Sequence, residues 1–366
     1  MDNHKTNGHL LKKVARKVLS DNQRKFLRHQ AIQFRKFKNR AITHHMEEIA
    51  SRRPIQITLE THSNCNARCV FCARRKIQPT NQTLPMPLFE KVCREYEEMG
   101  GGSLGFSPLI SDPLLDPYLL ERIKLVKEKF PSIKTNFFTN AIGFPKFSDE
   151  EISFILSTVQ HINISIGGFN RDDYKAMFGV DCFEKVWKSL ERLSSLRQNL
   201  KSPCSLNLHI RTHRKNEVIQ SPKLKELLDM GYACGDILDE FSNWGGLVTQ
   251  DDLPQGAKLI ETDNTHCSTP CLIPMMNLLI MPDGSALACA CMDANEVLNV
   301  GDVTQSSLKE IWTGEKMRSL RDSFRNKNLP NICKKCSYYT PYDDVFSSPG
   351  LKNYQPSESF WPSAGI

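Results

Sequence analysis

Residues 55–76 read IQITLETHSNCNARCVFCARRK, an apolar segment that runs directly into three closely spaced cysteines. Its first seven residues predict a short strand. Cys65, Cys69 and Cys72 follow with three and then two residues between them. A loop of this length can turn three sulfurs toward one point, as a 4Fe-4S cluster requires, and it leaves the fourth iron without a protein ligand. Structural zinc is the alternative, but zinc takes four ligands, and His62 is the only further one nearby.

Segments typical of strands alternate with helix-like segments after residue 54. The strands are predicted at 55–61, 102–110, 134–140, 159–168, 205–213 and 236–244, and the helices at 86–99, 119–130, 149–158, 183–193 and 221–230. Repeated strand–helix units predict an α/β fold with a parallel sheet and helices outside it. We expect the sheet to curve into an open or partial barrel, although periodicity alone does not distinguish a barrel from a flat doubly wound sheet.

The cysteine content favours metal ligation over disulfides. The chain has 13 cysteines in 366 residues, of which nine cluster early or late in the sequence and four are scattered. A secreted disulfide framework is disfavoured because the first residues lack the apolar core of a signal peptide. No stretch approaches the roughly 18 apolar residues of a membrane-spanning helix. The expected location is therefore cytoplasmic.

Basic residues concentrate in the first 53 residues, which hold 14 Lys and Arg against 4 Asp and Glu in a chain of net charge +7. Apolar residues in this arm recur near helical spacing, which predicts one or two amphipathic basic helices. Such an arm could contact a membrane surface, a nucleic acid or a phosphate-bearing substrate. The alternative is a solvated helix packed on the outside of the main domain.

The first cysteine motif, with an aromatic residue just before its last cysteine, resembles the signature of the radical S-adenosylmethionine (SAM) superfamily. In that family the open iron binds the amino and carboxylate groups of SAM, whose reductive cleavage gives a 5′-deoxyadenosyl radical. The resemblance implies that Phe71 packs near the adenine and that Asp112 binds the amino group. It also implies cofactor contacts from Asn140, which follows strand three, and from Ser165 and Arg211 on strands four and five. Asp112 stands where the family usually has glutamate.

Residues 271–336 resemble the auxiliary-cluster region called SPASM, or its shorter form, twitch. The shared features are an Asp-Gly hairpin, a short helix around residues 307–312 and a late CxxC pair. The resemblance implies a second 4Fe-4S cluster bound by Cys271, Cys289, Cys333 and Cys336. Cys267 and Cys291 remain as substitute ligands or free thiols near the site. Zinc is the alternative for this four-cysteine set.

Together these features predict four regions. They are a basic helical arm (1–53), a partial (β/α)6 barrel of radical SAM type (54–246), a small C-terminal SPASM or twitch auxiliary-cluster domain (247–343) and an extended tail (344–366).

The resemblance implies a radical SAM oxidoreductase that removes hydrogen from a small polar substrate, such as a sugar, an aminocyclitol or a glycan precursor. Oxidation of a C–H or alcohol centre is the preferred interpretation. It also implies an electron donor such as flavodoxin or ferredoxin. The alternatives are an epimerase with Cys267 or Cys291 as catalytic hydrogen donor, a ribosomal-peptide-modifying enzyme, and a non-catalytic iron–sulfur or zinc protein.

Overall fold

The computed structural model of the chain describes residues 50–78, 80–106, 109–262, 267 and 270–341. The predicted basic arm, apart from its last four residues, and the predicted tail lie outside the described residues. None of the helices in the described ranges is long and apolar enough to cross a membrane.

Eleven strands and eleven α-helices are described. The strands are β1 (Gln56–Leu59), β2 (Gly102–Phe106), β3 (Ile133–Thr139), β4 (His161–Ile166), β5 (Ser205–Arg211), β6 (Ala233–Leu238), β7 (Glu240–Phe241), β8 (Lys258–Leu259), β9 (Asn277–Ile280), β10 (Ser285–Leu287) and β11 (Asn299–Asp302). The helices are α1 (Met86–Glu98), α2 (Leu119–Lys129), α3 (Asp149–Thr158), α4 (Arg171–Phe178), α5 (Phe183–Gln198), α6 (Lys215–Gln220), α7 (Pro222–Asp229), α8 (Leu272–Met276), α9 (Leu308–Thr313), α10 (Glu315–Arg325) and α11 (Asn331–Lys335).

Strands β1 to β6 form a parallel sheet in which each strand pairs with the next one along the chain. A doubly wound sheet reverses its strand order at a switch point, and this order does not reverse. Because parallel crossovers are right-handed, the connecting helices then fall on one face of the sheet, as in a barrel. The structure therefore confirms the α/β prediction and favours the partial barrel over the doubly wound alternative.

The two faces of the sheet differ in polarity. In β5 the leucines and isoleucine at 206, 208 and 210 are buried, whereas the alternate residues Asn207, His209 and Arg211 are half-buried. The same alternation in β4 leaves Asn163 and Ser165 half-buried between buried isoleucines. Since side chains alternate across a strand, the apolar set packs toward the helices and the polar set lines the opposite, inner face.

The sheet continues past the six predicted strands. β9 pairs in parallel with β1, and β10 and β11 follow as antiparallel neighbours. The turn before β10 needs glycine, because Gly284 has a φ of +98°. Ser285 donates its backbone N–H to Asp283 Oδ1 at 2.9 Å, which fixes the same turn. The late-cysteine region is thus joined to the barrel through one nine-stranded sheet.

Several elements differ from the sequence prediction, among them the sixth strand and helix α4. The sixth strand begins at Ala233 rather than at 236, and the register with β5 shifts between Leu208 and His209. Helix α4 was not predicted, because only eight residues separate its Asn170 cap from Gly179. Gly179 ends the helix with a φ of +67°, a conformation that glycine adopts without strain.

Candidate functional site

The first three cysteines lie in the loop that follows β1. Cys72 donates its backbone N–H to the carbonyl of Cys69 at 3.2 Å. Its sulfur accepts the N–H of Arg74 at 3.4 Å, at the start of a short 3-10 helix, Ala73–Lys76. Burial raises the pKa of the Cys65 thiol to about 12 and that of Cys72 to about 11. Thiolates in this loop therefore need a bound cation or cluster to stabilise them.

His62 fixes the loop against the end of β2. Its Nδ1 accepts the N–H of Asn64 at 3.1 Å, so its Nε2 carries the proton and donates to the carbonyl of Asp112 at 2.8 Å. Asp112 in turn donates its N–H to the carbonyl of Asn64 at 3.0 Å. Burial lowers the pKa of His62, which favours the neutral ring that this tautomer requires. His62 is thereby a supporting residue of the loop, not a fourth zinc ligand in this arrangement.

Glu60 also holds the loop after β2, and the sequence analysis did not single it out. Its fully buried carboxylate accepts the backbone N–H groups of Leu109 and Ile110, the latter at 3.0 Å. Burial raises the pKa of Glu60 to about 7. In the sequence Glu60 is only a carboxylate within the predicted strand 55–61, and its burial, which is rare for a carboxylate without a partner, is known only from the structure.

Asp112 joins the end of β2 to the end of β3. Its carboxylate accepts from Thr139 Oγ1 at 3.0 Å, from the N–H of Asn140 at 2.7 Å and from the N–H of Leu114 at 3.1 Å. Burial raises its pKa to about 6. This geometry gives Asp112 a positioning role within the protein. The predicted contact with the amino group of SAM stays a prediction.

Asn140 reaches the cysteine loop directly. Its Nδ2 donates to Asn66 Oδ1 at 2.7 Å and lies 3.8 Å from Cys65 Sγ, while its Oδ1 accepts the N–H of Ile142 at 2.9 Å. Asn140 therefore lies beside the first cysteine, and its predicted contact with the cofactor stays a prediction.

Helix α4 supports the other side of the cysteine loop. The N–H groups of Arg68 and Val70 donate to the carbonyls of Phe178 and Met177, each at 2.9 Å. Phe71 packs edge-on against Phe178, with ring centroids 5.6 Å apart. Its ring also stacks on Phe241 at 4.9 Å.

Ser165 and Arg211 lie at the carboxyl ends of neighbouring strands, the edge of the sheet at which the cysteine loop begins. Ser165 pairs in register with His209, so Arg211 is two residues further along the same face. Arg211 donates to Asp236 Oδ1 at 3.0 Å. Their predicted contacts with the carboxylate of SAM stay predictions.

A second group of cysteines lines a recess of about 320 Å³, its open mouth included. Its cysteines are the four predicted ligands and one more, namely Cys271, Cys289, Cys333, Cys336 and Cys291. Cys271 precedes α8, and Cys333 lies in α11. The remaining lining is largely apolar, which suits a cluster shielded from water. Burial raises the pKa of the Cys271 thiol to about 12.

The two extra thiols occupy different places. Cys291 is part of the recess lining, whereas Cys267 contacts its edge, with Sγ 3.8 Å from the carbonyl of Cys333. Their predicted catalytic role is untested by this geometry, which instead puts both beside the predicted ligands of the second cluster.

One short turn connects the two groups of cysteines. Trp244 donates its indole N–H to the carbonyl of Phe71 at 2.8 Å, next to Cys72. Asn243 donates Nδ2 to the carbonyl of Lys335 at 2.7 Å and accepts the N–H of Ser337 at 3.1 Å on Oδ1. These contacts bracket Cys336. The turn therefore holds the late CxxC segment against the first cysteine loop.

Within the described ranges, no three His, Cys, Asp or Glu side chains converge closely enough to hold one metal ion. A 4Fe-4S cluster takes one thiolate per iron.

Comparison with protein families matches both regions. The description "Radical SAM superfamily" fits residues 59–209, and the "Iron-sulfur cluster-binding domain" named SPASM fits residues 271–337, together more than half of the chain. The chain belongs to the radical SAM superfamily. It is a radical SAM enzyme with a SPASM region, and its cofactors are 4Fe-4S clusters and SAM.

Known proteins share the fold at low sequence identity. BtrN in complex with AdoMet and 2-DOIA has a TM-score of 0.54 and 15% identity, covering 79% of this chain and 94% of BtrN. SuiB of Streptococcus suis bound to the precursor peptide SuiA has a TM-score of 0.53 and 13% identity, covering 86% of this chain and 76% of SuiB. A probable GTP 3′,8-cyclase of Methanothermobacter thermautotrophicus is 26% identical over 145 residues, 39% of this chain and 45% of the cyclase. The chain thus spans less than half the length of the curated relatives that it matches.

Proposed function

We propose that the protein is a radical SAM oxidoreductase that oxidises a C–H or alcohol centre of a small polar substrate, such as a sugar, an aminocyclitol or a glycan precursor. The observation that carries this proposal is the second cysteine recess, which the turn at Asn243 and Trp244 joins to the first cysteine loop. An oxidation needs an electron acceptor close to the site where hydrogen is removed, and a second cluster in this recess meets that need.

Seven cysteines would hold the two clusters. Cys65, Cys69 and Cys72 would bind the first, and the four late ligands Cys271, Cys289, Cys333 and Cys336 the second. When bound, the first cluster with SAM supplies a 5′-deoxyadenosyl radical that removes a hydrogen atom, and the second supplies an acceptor for one electron.

The polar residues on the inner face of the barrel favour a polar substrate. Asn207 Nδ2 donates to Asn163 Oδ1 at 3.1 Å, and His209 Nε2 lies 3.2 Å from that same oxygen. His209 Nδ1 lies 3.1 Å from Asp236 Oδ2. The half-exposed ring of Phe138 packs against His209, with centroids 5.3 Å apart. Hydrogen-bonding groups beside one apolar ring suit a hydroxylated or aminated ring compound, since few placed polar groups fix the orientation of such ligands.

The positions of the extra thiols favour oxidation over epimerisation. An epimerase must place a hydrogen-donating thiol at the face of the substrate opposite to the radical. Cys291 and Cys267 instead adjoin the predicted ligands of the second cluster. This arrangement supports an accessory ligand role for them.

The names of the similar proteins suggest alternative substrates for this chain. BtrN was solved with 2-DOIA and SuiB with a peptide, and the curated relatives are named GTP 3′,8-cyclases. Because these likenesses are distant, each named ligand is a substrate to be tested rather than an assignment. Reduction of the first cluster would require an external donor such as flavodoxin or ferredoxin.

The test is an anaerobic assay of the reconstituted, reduced protein. Release of 5′-deoxyadenosine from SAM is measured with panels of aminocyclitols, sugars, GTP and short peptides. We expect stimulation by an aminocyclitol or sugar, one SAM consumed per oxidised product, and no solvent deuterium in the product. Stimulation by a peptide or GTP alone, or deuterium incorporation without net oxidation, would contradict the proposal.

A further inference from the structure

The hydroxyl of Tyr174 is a buried polar group without a hydrogen-bond partner among the described residues. Tyr174 is 1% exposed. Two other buried tyrosines are paired, because Tyr96 donates to the carbonyl of Ile55 at 2.7 Å and Tyr232 to that of Leu190 at 2.8 Å. A buried hydroxyl that has lost its bonds to water is rarely left unpaired, so an unpaired hydroxyl at the centre of α4 indicates a missing partner.

The surroundings of this hydroxyl point to the first cysteine loop. α4 is bound to that loop through its carbonyls at Met177 and Phe178, as described above. The ring of Tyr174 stacks on Phe178 at 4.9 Å, and Phe178 in turn contacts Phe71. Burial, and after it the Cys69 thiol, raises the pKa of Tyr174, so the hydroxyl keeps its proton and can donate at neutral pH.

We propose that the Tyr174 hydroxyl donates a hydrogen bond to a sulfur of the first cluster, either the Cys69 thiolate or a bridging sulfide. This inference rests on the proposed ligation of that cluster by Cys65, Cys69 and Cys72. A hydrogen bond to a cluster sulfur stabilises the reduced state, which carries more negative charge, and so raises the reduction potential. Tyr174 is accordingly a positioning residue that adjusts how readily the cluster accepts an electron.

Two other acceptors for the Tyr174 hydroxyl would give different experimental results. One is the thiol of Cys182, which also raises the pKa of Tyr174. The other is SAM, which would bind the open iron. A bond to the Cys182 thiol would leave the cluster potential independent of the hydroxyl. A bond to SAM would matter only when SAM is present.

The experiment compares Tyr174→Phe with Tyr232→Phe, a matched control that removes a buried hydroxyl far along the chain from the cysteine loop. The midpoint potential of the first cluster is measured by redox titration with electron paramagnetic resonance detection, with and without SAM. We expect Tyr174→Phe to lower the equilibrium constant for reduction about tenfold, which is about 59 mV for one electron. The shift should appear without SAM, and Tyr232→Phe should not produce it.

Stability of the apoprotein gives an independent readout. Without a cluster the Tyr174 hydroxyl has no partner, so Tyr174→Phe should leave the free energy of unfolding unchanged or raise it, whereas Tyr232→Phe should lower it. An unchanged potential, a shift seen only with SAM, or destabilisation of the Tyr174→Phe apoprotein would each overturn the proposal. Absence of a 4Fe-4S signal from wild type would instead reject the first-cluster assignment itself.

Discussion

Three buried side chains fix the position of the loop that carries the first three cysteines. Glu60 binds the segment after β2, His62 binds the carbonyl of Asp112, and the Asp112 carboxylate binds the end of β3. Each group is removed from water and paired within the protein. The open side of the loop is therefore preorganised before any cofactor binds, which reduces the entropy lost on binding.

Glu60 should make the apoprotein less stable as the pH rises. Its pKa is raised by burial from 4.5 to about 7, so the folded chain binds more protons than the unfolded chain between these values. The stability that this difference contributes is complete below about pH 4.5 and is lost as the pH rises through about 7. Relative to wild type, Glu60→Gln should gain about 2–3 kcal/mol between pH 5 and pH 8 in urea unfolding. A constant difference across that range would contradict the assignment.

Asp112 should contribute to stability in the absence of SAM. In Asp112→Asn, an amide nitrogen replaces an oxygen that accepts from Thr139 or from the Asn140 N–H. We expect the free energy of unfolding of the apoprotein to fall by about 1–3 kcal/mol, and SAM affinity to weaken with it. Asp283→Asn, on the exposed β9–β10 turn, is the control. Weaker SAM binding with unchanged stability would assign Asp112 to direct ligand contact instead.

At the scale of elements, the helix and strand periodicity of the sequence predicted the barrel better than its short connections. Strands β1 to β5 and the longer helices between them, α1, α2, α3 and α5, follow hydrophobic patterns, so their places agree closely with the prediction. Helix α4 and the Asn243–Gly246 turn are too short for periodicity to show. Both elements matter for the site because they contact the cysteine loops in the folded protein. Glu60 could likewise not be assigned a role before its burial was known.

The Asn243 turn should control occupancy of the second cysteine site. Asn243→Ala loses the side-chain bonds to Lys335 and Ser337, which flank Cys336. We expect iron bound at the second site to fall while the first site, with its own supports, keeps its cluster. Iron analysis and Mössbauer spectroscopy measure this. Asn199→Ala, which removes only an exposed bond to Ser195, is the control, and equal iron loss in both variants would contradict the account.

At the scale of the whole molecule, the first described residues contact parts of the chain that are distant in sequence. The Trp312 indole donates to the carbonyl of Ala50 at 2.7 Å, and Arg53 donates to the carbonyl of Gly101. Residues 50–53, which the sequence analysis included in the basic arm, therefore pack on the barrel. The composition of the arm could not reveal these contacts, because they depend on residues distant in the sequence.

Two truncations should separate the arm from the barrel. Deletion of residues 1–49 should preserve iron content and SAM cleavage, since it removes none of these contacts. Deletion of residues 1–53 should lower the free energy of unfolding by about 1–3 kcal/mol, because the buried Trp312 N–H loses its partner. Thermal unfolding of both proteins measures the difference. Loss of iron on the shorter deletion would show that the arm covers a cluster site.

The measurement that bears most directly on the account combines iron analysis with SAM cleavage in one set of variants. Reconstituted wild type should bind about eight irons and release 5′-deoxyadenosine when reduced. Cys65→Ala, Cys69→Ala and Cys72→Ala combined should retain about four irons, all at the second site, and release no 5′-deoxyadenosine. Cys333→Ala with Cys336→Ala should also retain about four irons but still cleave SAM without forming oxidised product. Cleavage at the wild-type rate after loss of the first three cysteines would contradict the central claim.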